Sequence, residues 1–170
     1  MAGFREYKLK RSLVQTILSA YRKERMRLPL DTMGPISQPF GEKNTLYKSG
    51  IHAGCDFALP VGTKIYAPTD GVVSLTWNKH KQLGNAFVFE FYYMGKMFSM
   101  RCAHLRDPVK KWGYRAGDIL GYTGNTGLST GPHLHMEIWR GGYNPDMLQS
   151  EETVRQALMN PTILFNNYTV

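Results

Sequence analysis

The stretch "GPHLHMEIW", residues 131–139, sets two histidines one residue apart inside an apolar run. In an extended chain residues i and i+2 project from the same face, so His133, His135 and Glu137 point one way while Leu134, Met136 and Ile138 point the other. One side suits a core and the other a partly polar compartment. Alternation of that kind belongs to a half-covered antiparallel strand. The segments "KIYAP" (64–68), "GVVSLTW" (71–77), "AFVFEFYY" (86–93), "KMFSMRCAHL" (96–105) and "DILGYTG" (118–124) are further short runs rich in β-branched and aromatic residues. "YYMGKMF" (92–98) reads as a hairpin around Gly95. No helix of useful length separates these runs, which argues against a parallel βαβ sheet and predicts a mainly β, antiparallel core.

At 170 residues and 42% hydrophobic composition, the chain fits one domain with modest extensions. Residues 4 to about 27 contain no Gly or Pro after Gly3 and place Leu9, Leu13, Ile17 and Tyr21 at helical spacing, which predicts a basic N-terminal helix. "LPLDTMGPISQPFG" (28–41) ends it with three prolines and two glycines and reads as a linker. The predicted organisation is a helix and linker over 1–34, a β domain over 35–145, and a short helix and tail over 146–170. Ser150 would cap that second helix, over 151–159, with Glu151 and Glu152 in its first turn and Pro161 marking its end.

The net charge is +8, and residues 1–30 carry eight cations against two carboxylates, so +6 of it lies there. The basic residues fall outside the β domain and form no nucleic-acid-binding motif, so nucleic acid is not expected as a partner. No apolar stretch approaches the roughly 18–20 residues that span a bilayer, and the N-terminal residues lack the apolar core of a signal peptide. Synthesis in the cytoplasm is therefore expected. Cys55 and Cys102 are too few for a disulfide framework and are expected to be reduced and packed, with pairing left open.

An HxH pair alone equally describes two surface histidines on a half-exposed strand. A second cluster changes its meaning. "IHAGCDFALPVG" (51–62) holds His52 and Asp56 four residues apart with Gly54 between them. In a straight strand they would lie roughly 13 Å apart, too far to share an ion, so the segment must bend, and Gly54 offers the backbone freedom. His52, Asp56 and one histidine of the HxH pair make three N and O donors, the set that a catalytic zinc needs with its fourth position open to water. Such an ion brings bound water to a pKa of about 7. Cys55 offers an alternative donor beside Asp56. His104, in "MRCAHLRDP" (100–108), is a fourth histidine to place, and His80, in "NKHKQLGN" (78–85), reads as a solvated loop residue.

At "HAGCDFALPVGTKIYAPTDGVV" (52–73), "GN" (84–85), "AHL" (103–105) and "GDILGYTGNTGLSTGPHLHMEI" (117–138), the sequence resembles the lysostaphin- or LytM-type zinc metallopeptidases of peptidoglycan, family M23. The resemblance covers roughly residues 36–145. It implies a curved antiparallel sheet with the metal on the floor of a groove. It further implies His52, Asp56 and His135 as ligands of one Zn2+ and His104 and His133 as catalytic residues across the metal. Asn85 and Tyr122 are candidates for the groove lining. The implied activity is zinc-dependent endopeptidase hydrolysis of peptide bonds in the stems or cross-links of bacterial peptidoglycan, acting in the wall. The alternative is an inactive LytM-like module that binds the wall or activates another hydrolase. A compact peptidase with a basic helix also suggests a bacteriophage endolysin or virion-associated lysin. The helix would then touch anionic envelope polymer or lipid, dock a partner, or simply carry solvated charge. Cys102 stands where many relatives have Tyr or Ser two positions before the histidine of "AHL", and the resemblance assigns no role to 146–170.

Overall fold

The computed structural model describes residues 26–110 and 112–166. The basic helix expected over 4–27 lies outside them, apart from Met26 and Arg27, which are not helical. The rest is mainly β. Strands β1 (Ile36–Gln38), β2 (Cys55–Phe57), β4 (Gly71–His80), β5 (Gly84–Tyr93), β6 (Lys96–Leu105), β7 (Gly113–Tyr114) and β9 (Leu134–Arg140) form one antiparallel sheet in the order β1-β2-β9-β6-β5-β4-β7. β3 (Lys64–Tyr66) and β8 (Ile119–Tyr122) pair separately, and the two-residue β10 (Leu158–Met159) joins β9. No described helix is long and apolar enough to cross a membrane.

Leu134, Met136 and Ile138 on β9, Phe87, Phe89 and Phe91 on β5, and Met100 and Cys102 on β6 are buried in one main core. The long strands are covered on both faces over much of their length and not on one alone, since Ala86, Val88, Ala103, Glu137 and Trp139 are buried on the face opposite the main core. The β5–β6 hairpin turns at Met94 and Gly95, both at positive φ (48° and 70°). A two-residue turn of that form matches the right-handed twist of its strands, and Gly95 adopts it without a Cβ penalty. Cys55 and Cys102 are both register partners of Met136, one on each neighbouring strand. Two strand spacings put their Cα atoms about 9.5 Å apart, beyond disulfide reach. Both thiols are free and buried.

The flanks depart from the predicted organisation. Residues 28–34 are not a loose linker: Met26 and Leu30 sit in the same core as the sheet, Tyr66 N donates to Pro29 O, and the Arg27 guanidinium lies 4.0 Å over the Tyr66 ring. At the other end Ser150 caps helix α1 (Glu151–Ala157) through a capping box with Thr153, as the sequence predicts. The helix stops at 157 and not 159, because Leu158 and Met159 find open edge on β9 opposite Trp139 and Ile138. Pro161 then begins a second helix, α2 (Pro161–Asn166), a position where its missing N–H costs nothing. Leu164 and Phe165 return into the main core.

Phe165→Ala is accordingly expected to lower unfolding free energy by about 3–5 kcal/mol, read from the urea midpoint, as for a large side chain removed from a close-packed interior. A tail merely appended to the domain would leave that midpoint in place.

Candidate active site

The site is assembled by pairing across β2 and β9. Asp56 is the register partner of His135, so carboxylate and imidazole rise side by side from one face of the sheet. His52 arrives from the irregular segment before β2. Gly54 matters there through close approach and not through an unusual φ: a Cβ on it would lie 2.3 Å from Met136 O and 3.0 Å from His135 Cε1. The chain can bend across β9 only because no side chain stands in the way.

Three donor atoms converge as a result. His135 Nδ1 lies 2.7 Å from Asp56 Oδ1, His52 Nε2 lies 3.1 Å from His135 Nδ1, and His52 Nε2 lies 3.3 Å from Asp56 Oδ1. Tetrahedral zinc bonded at about 2.0–2.1 Å spaces its ligand atoms about 3.3 Å apart, so this triangle fits such an ion after a small expansion. Hydrogen bonding sets the tautomers in the same sense. A carbonyl only accepts, so His52 donates Nδ1–H to Pro39 O (3.2 Å), and His135 donates Nε2–H to Glu137 Oε1 (3.1 Å). The other nitrogens, His52 Nε2 and His135 Nδ1, face the shared centre. His52, Asp56 and His135 therefore form a group that could hold a metal ion. The sequence's alternative donor, the Cys55 thiol, is buried in the core and directed to Asn160 Oδ1 at 3.4 Å.

Electrostatics favour deprotonated ligands on Asp56. Burial alone would raise its pKa, but hydrogen bonds from His135 and His52 override that and hold the carboxyl well below the usual range. For His135, burial opposes the charged form, yet hydrogen bonds to Asp56 and Glu137 raise the metal-free imidazole to about 9. Without a cation, a proton thus occupies the space between His135 and Asp56, and metal would displace it.

Across this triangle stand the other two histidines, their rings 4.6 Å apart between centroids. His133 donates Nδ1–H to Gly131 O (2.8 Å), and His104 donates Nδ1–H to Thr126 O (2.8 Å). Both carbonyls belong to the glycine-rich stretch "GYTGNTGLSTG" (121–131) that leads into β9. His133 Nε2 lies 3.9 Å from Asp56 Oδ2, close without being bonded. His104 reaches the site through a β-bulge. Between the pairs Phe87↔Cys102 and Asn85↔Leu105, β6 spends one residue more than β5. Plain alternation would send His104 into the core with Met100 and Cys102; the extra residue turns it to the opposite face. It does so at φ 62°, left-handed backbone that L-residues rarely adopt. Burial pushes the His104 imidazole down to about 4, so it is neutral at physiological pH.

The remaining candidates have partners of their own. Asn85 is buried, and its side chain is taken up by Lys79 N and by the Leu105 and Arg106 carbonyls, so it staples strand ends. Tyr122 lies under the Arg106 guanidinium, 4.5 Å from its ring centroid. His80 is exposed, and its Nδ1 accepts from Gln82 N and Leu83 N at the β4–β5 turn. Two features were not read from sequence. Tyr47 stacks on His52 at 5.3 Å and donates its hydroxyl to Gln38 Oε1 (3.0 Å). Glu137, expected on the polar side, is fully buried behind His135. A cavity of about 420 Å3 opens beside the site, with Ser37, Gln38, Glu42, Thr130, Asp56 and His133 among its walls.

The sequence model of peptidase family M23 matches residues 50–147, which hold all five of these site residues. The chain belongs to peptidase family M23. It is 38% identical over 117 residues to the peptidoglycan DD-endopeptidase ShyA of Vibrio cholerae, covering 66% of this chain and 26% of that protein. The chain spans about a quarter to a third of the length of the curated relatives it matches. Among solved structures, a zinc-containing peptidase from Vibrio cholerae superposes with a TM-score of 0.55 at 32% identity, over 68% of this chain and 37% of that one. The catalytic domain of lysostaphin from Staphylococcus simulans superposes with a TM-score of 0.59 at 24% identity, over 78% and 92%, a likeness of fold.

The left-handed backbone at His104 gives a direct stability test. His104→Gly should unfold with about 1 kcal/mol more free energy than His104→Ala in urea titration, since only alanine keeps the Cβ that this φ disfavours.

Proposed function

We propose that this M23 chain is a zinc-dependent endopeptidase that hydrolyses peptide bonds in the stems or cross-links of bacterial peptidoglycan. The observation that carries the reading is the convergence of His52 Nε2, Asp56 Oδ1 and His135 Nδ1 on one centre, with two further imidazoles facing it. His52, Asp56 and His135 are the proposed ligands, and His104 and His133 the proposed catalytic residues. Family membership and the similarity to the peptidoglycan DD-endopeptidase ShyA support the substrate class.

When bound, zinc would supply a Lewis acid for the scissile carbonyl and lower the pKa of water at its open position. The protein's own residues do the rest. His133 and His104 each hold Nδ1–H on a loop carbonyl, which leaves Nε2 of each free to exchange a proton with water or the leaving amine. Either Nε2 can take a proton from water and hand the same proton to the amine nitrogen, and His104, neutral at working pH, has the free lone pair that the first of these steps needs. Loop carbonyls at Gly131 and Thr126 keep both rings from rotating, so the proton path is set before substrate arrives. The cavity beside Asp56 and His133 offers polar walls for extended peptide.

An intact five-residue set does not favour the alternative of an inactive wall-binding module. The proposed place of action is the peptidoglycan layer. A bacteriophage lysin, released from the host or carried with the virion, is the proposed setting, supported by the match between substrate and the barrier a phage must breach. The proposed envelope contact of the basic residues 1–30 rests on their +6 charge alone.

Purified peptidoglycan turbidity is the assay. Wild-type protein should clear it, chelator should stop clearing, and zinc should restore it. His133→Ala and His104→Ala should each retain zinc and lose about 10²–10⁴-fold in rate, the usual worth of a general acid or base. His135→Ala should lose zinc itself. Tight wall binding without clearing by the zinc-loaded wild type would support the module instead.

A further inference from the structure

Behind His135 lies a buried charged cluster that the metal site and the proton path leave unexplained. Glu137 is 0% exposed, yet it carries a carboxylate. Its Oε1 accepts from His135 Nε2 (3.1 Å) and from the Arg101 guanidinium, and its Oε2 accepts from Trp139 Nε1 (2.8 Å). Arg101 is its register partner on β6 and donates onward to the Tyr143 hydroxyl (3.0 Å). Among the described residues the Arg101 Nε has no hydrogen-bond partner of its own.

Stability alone is a poor reason for this arrangement. Removing two charges from water costs several kcal/mol per ion, and apolar residues of similar volume often serve a core as well or better. What an apolar pair cannot provide is an acceptor for the far nitrogen of His135. That nitrogen decides which face of the ring carries the lone pair. Without an acceptor at Nε2, the neutral ring could keep its one proton on Nδ1, facing His52 and Asp56, where a cation would have to compete with it.

The geometry points to Glu137 as a positioning residue for the metal: it locks His135 as the Nε2–H tautomer, aims Nδ1 at the centre, and is itself held rigid by Arg101 and Trp139. The inference rests on the reading of His52, Asp56 and His135 as ligands. Arg101 has a consequence for charge as well as for position. Two neutral imidazoles and one carboxylate leave a dication with a net charge of +1, and an unpaired Glu137 would bring that local sum to zero. With Arg101 against it, Glu137 accepts the hydrogen bond while the centre keeps its positive charge, which is what polarises a carbonyl.

This differs from a role in general packing, because it predicts an effect on the metal and not only on folding. The test is competitive titration of the zinc-stripped full chain with Zn2+ against a chromophoric chelator near pH 8, for wild type, Glu137→Gln and Trp139→Phe, with melting temperatures measured alongside. Glu137→Gln is expected to weaken zinc binding about 10–100-fold, whereas Trp139→Phe, which removes a donor from the other oxygen, should stay within about threefold while lowering the melting temperature. Zinc binding by Glu137→Gln within threefold of wild type would overturn the inference and leave the ligand assignment standing. If wild type itself takes up no zinc, both fail together.

A measurement on wild type covers the case in which the variant does not fold. In the zinc-loaded chain, long-range 1H–15N correlation should show His135 protonated on Nε2, with that proton exchanging slowly with water. Protonation on Nδ1, or exchange as fast as in an exposed imidazole, would overturn the assignment to Glu137.

Discussion

The site depends on one cross-strand pair. Asp56 opposite His135 joins β2, a strand of only three residues, to β9, and so ties a segment from the first third of the chain to one from the last. Register in a sheet is strict: a slip of one residue would turn His135 into the core and Leu134 into the cleft. The apolar partners on the reverse face, Phe57 against Leu134 and Cys55 against Met136, make that slip costly, because each is fully buried. The packing of one face of the sheet therefore sets the chemistry of the other.

Each of the four site histidines is then held through the nitrogen that faces away from the centre. Pro39 O holds His52, Gly131 O holds His133, Thr126 O holds His104 and Glu137 holds His135. Three of these acceptors are backbone carbonyls on loops, and one is a charged side chain buried in the sheet. Their common effect is to leave four ring nitrogens directed inward before any ligand is present, so little reorganisation is left for the reaction to supply.

Much of this was legible in sequence, and for identifiable reasons. β9 and β5 announce themselves because alternation of apolar residues over seven to ten positions is a local signal, and the Met94–Gly95 turn because positive φ favours glycine. His52, Asp56 and the HxH pair could be grouped because metal chemistry demands few residue types. What stayed hidden is non-local. β1, β2, β7 and β10 are two or three residues long and exist only through their partners. The β6 bulge arises from a mismatch of count between two strands, which neither strand records by itself. Glu137 reads from its own neighbourhood as one more polar residue on an outward face; its acceptor role needs Arg101, 36 residues away, to be seen beside it. Nothing in the sequence around Asn85 shows that its amide is taken up by the backbone of Lys79, Leu105 and Arg106.

The two cysteines show what the same sheet confers on durability. Sealed on either side of Met136 and too distant to join, they have their thiols pushed upward in pKa by burial, so almost no thiolate is present at neutral pH. A folded molecule of this kind gains nothing from an oxidising milieu and loses nothing in a reducing one. It can cross between the two without a change of covalent structure, and alkylating reagents would report on its unfolding and not on its surface.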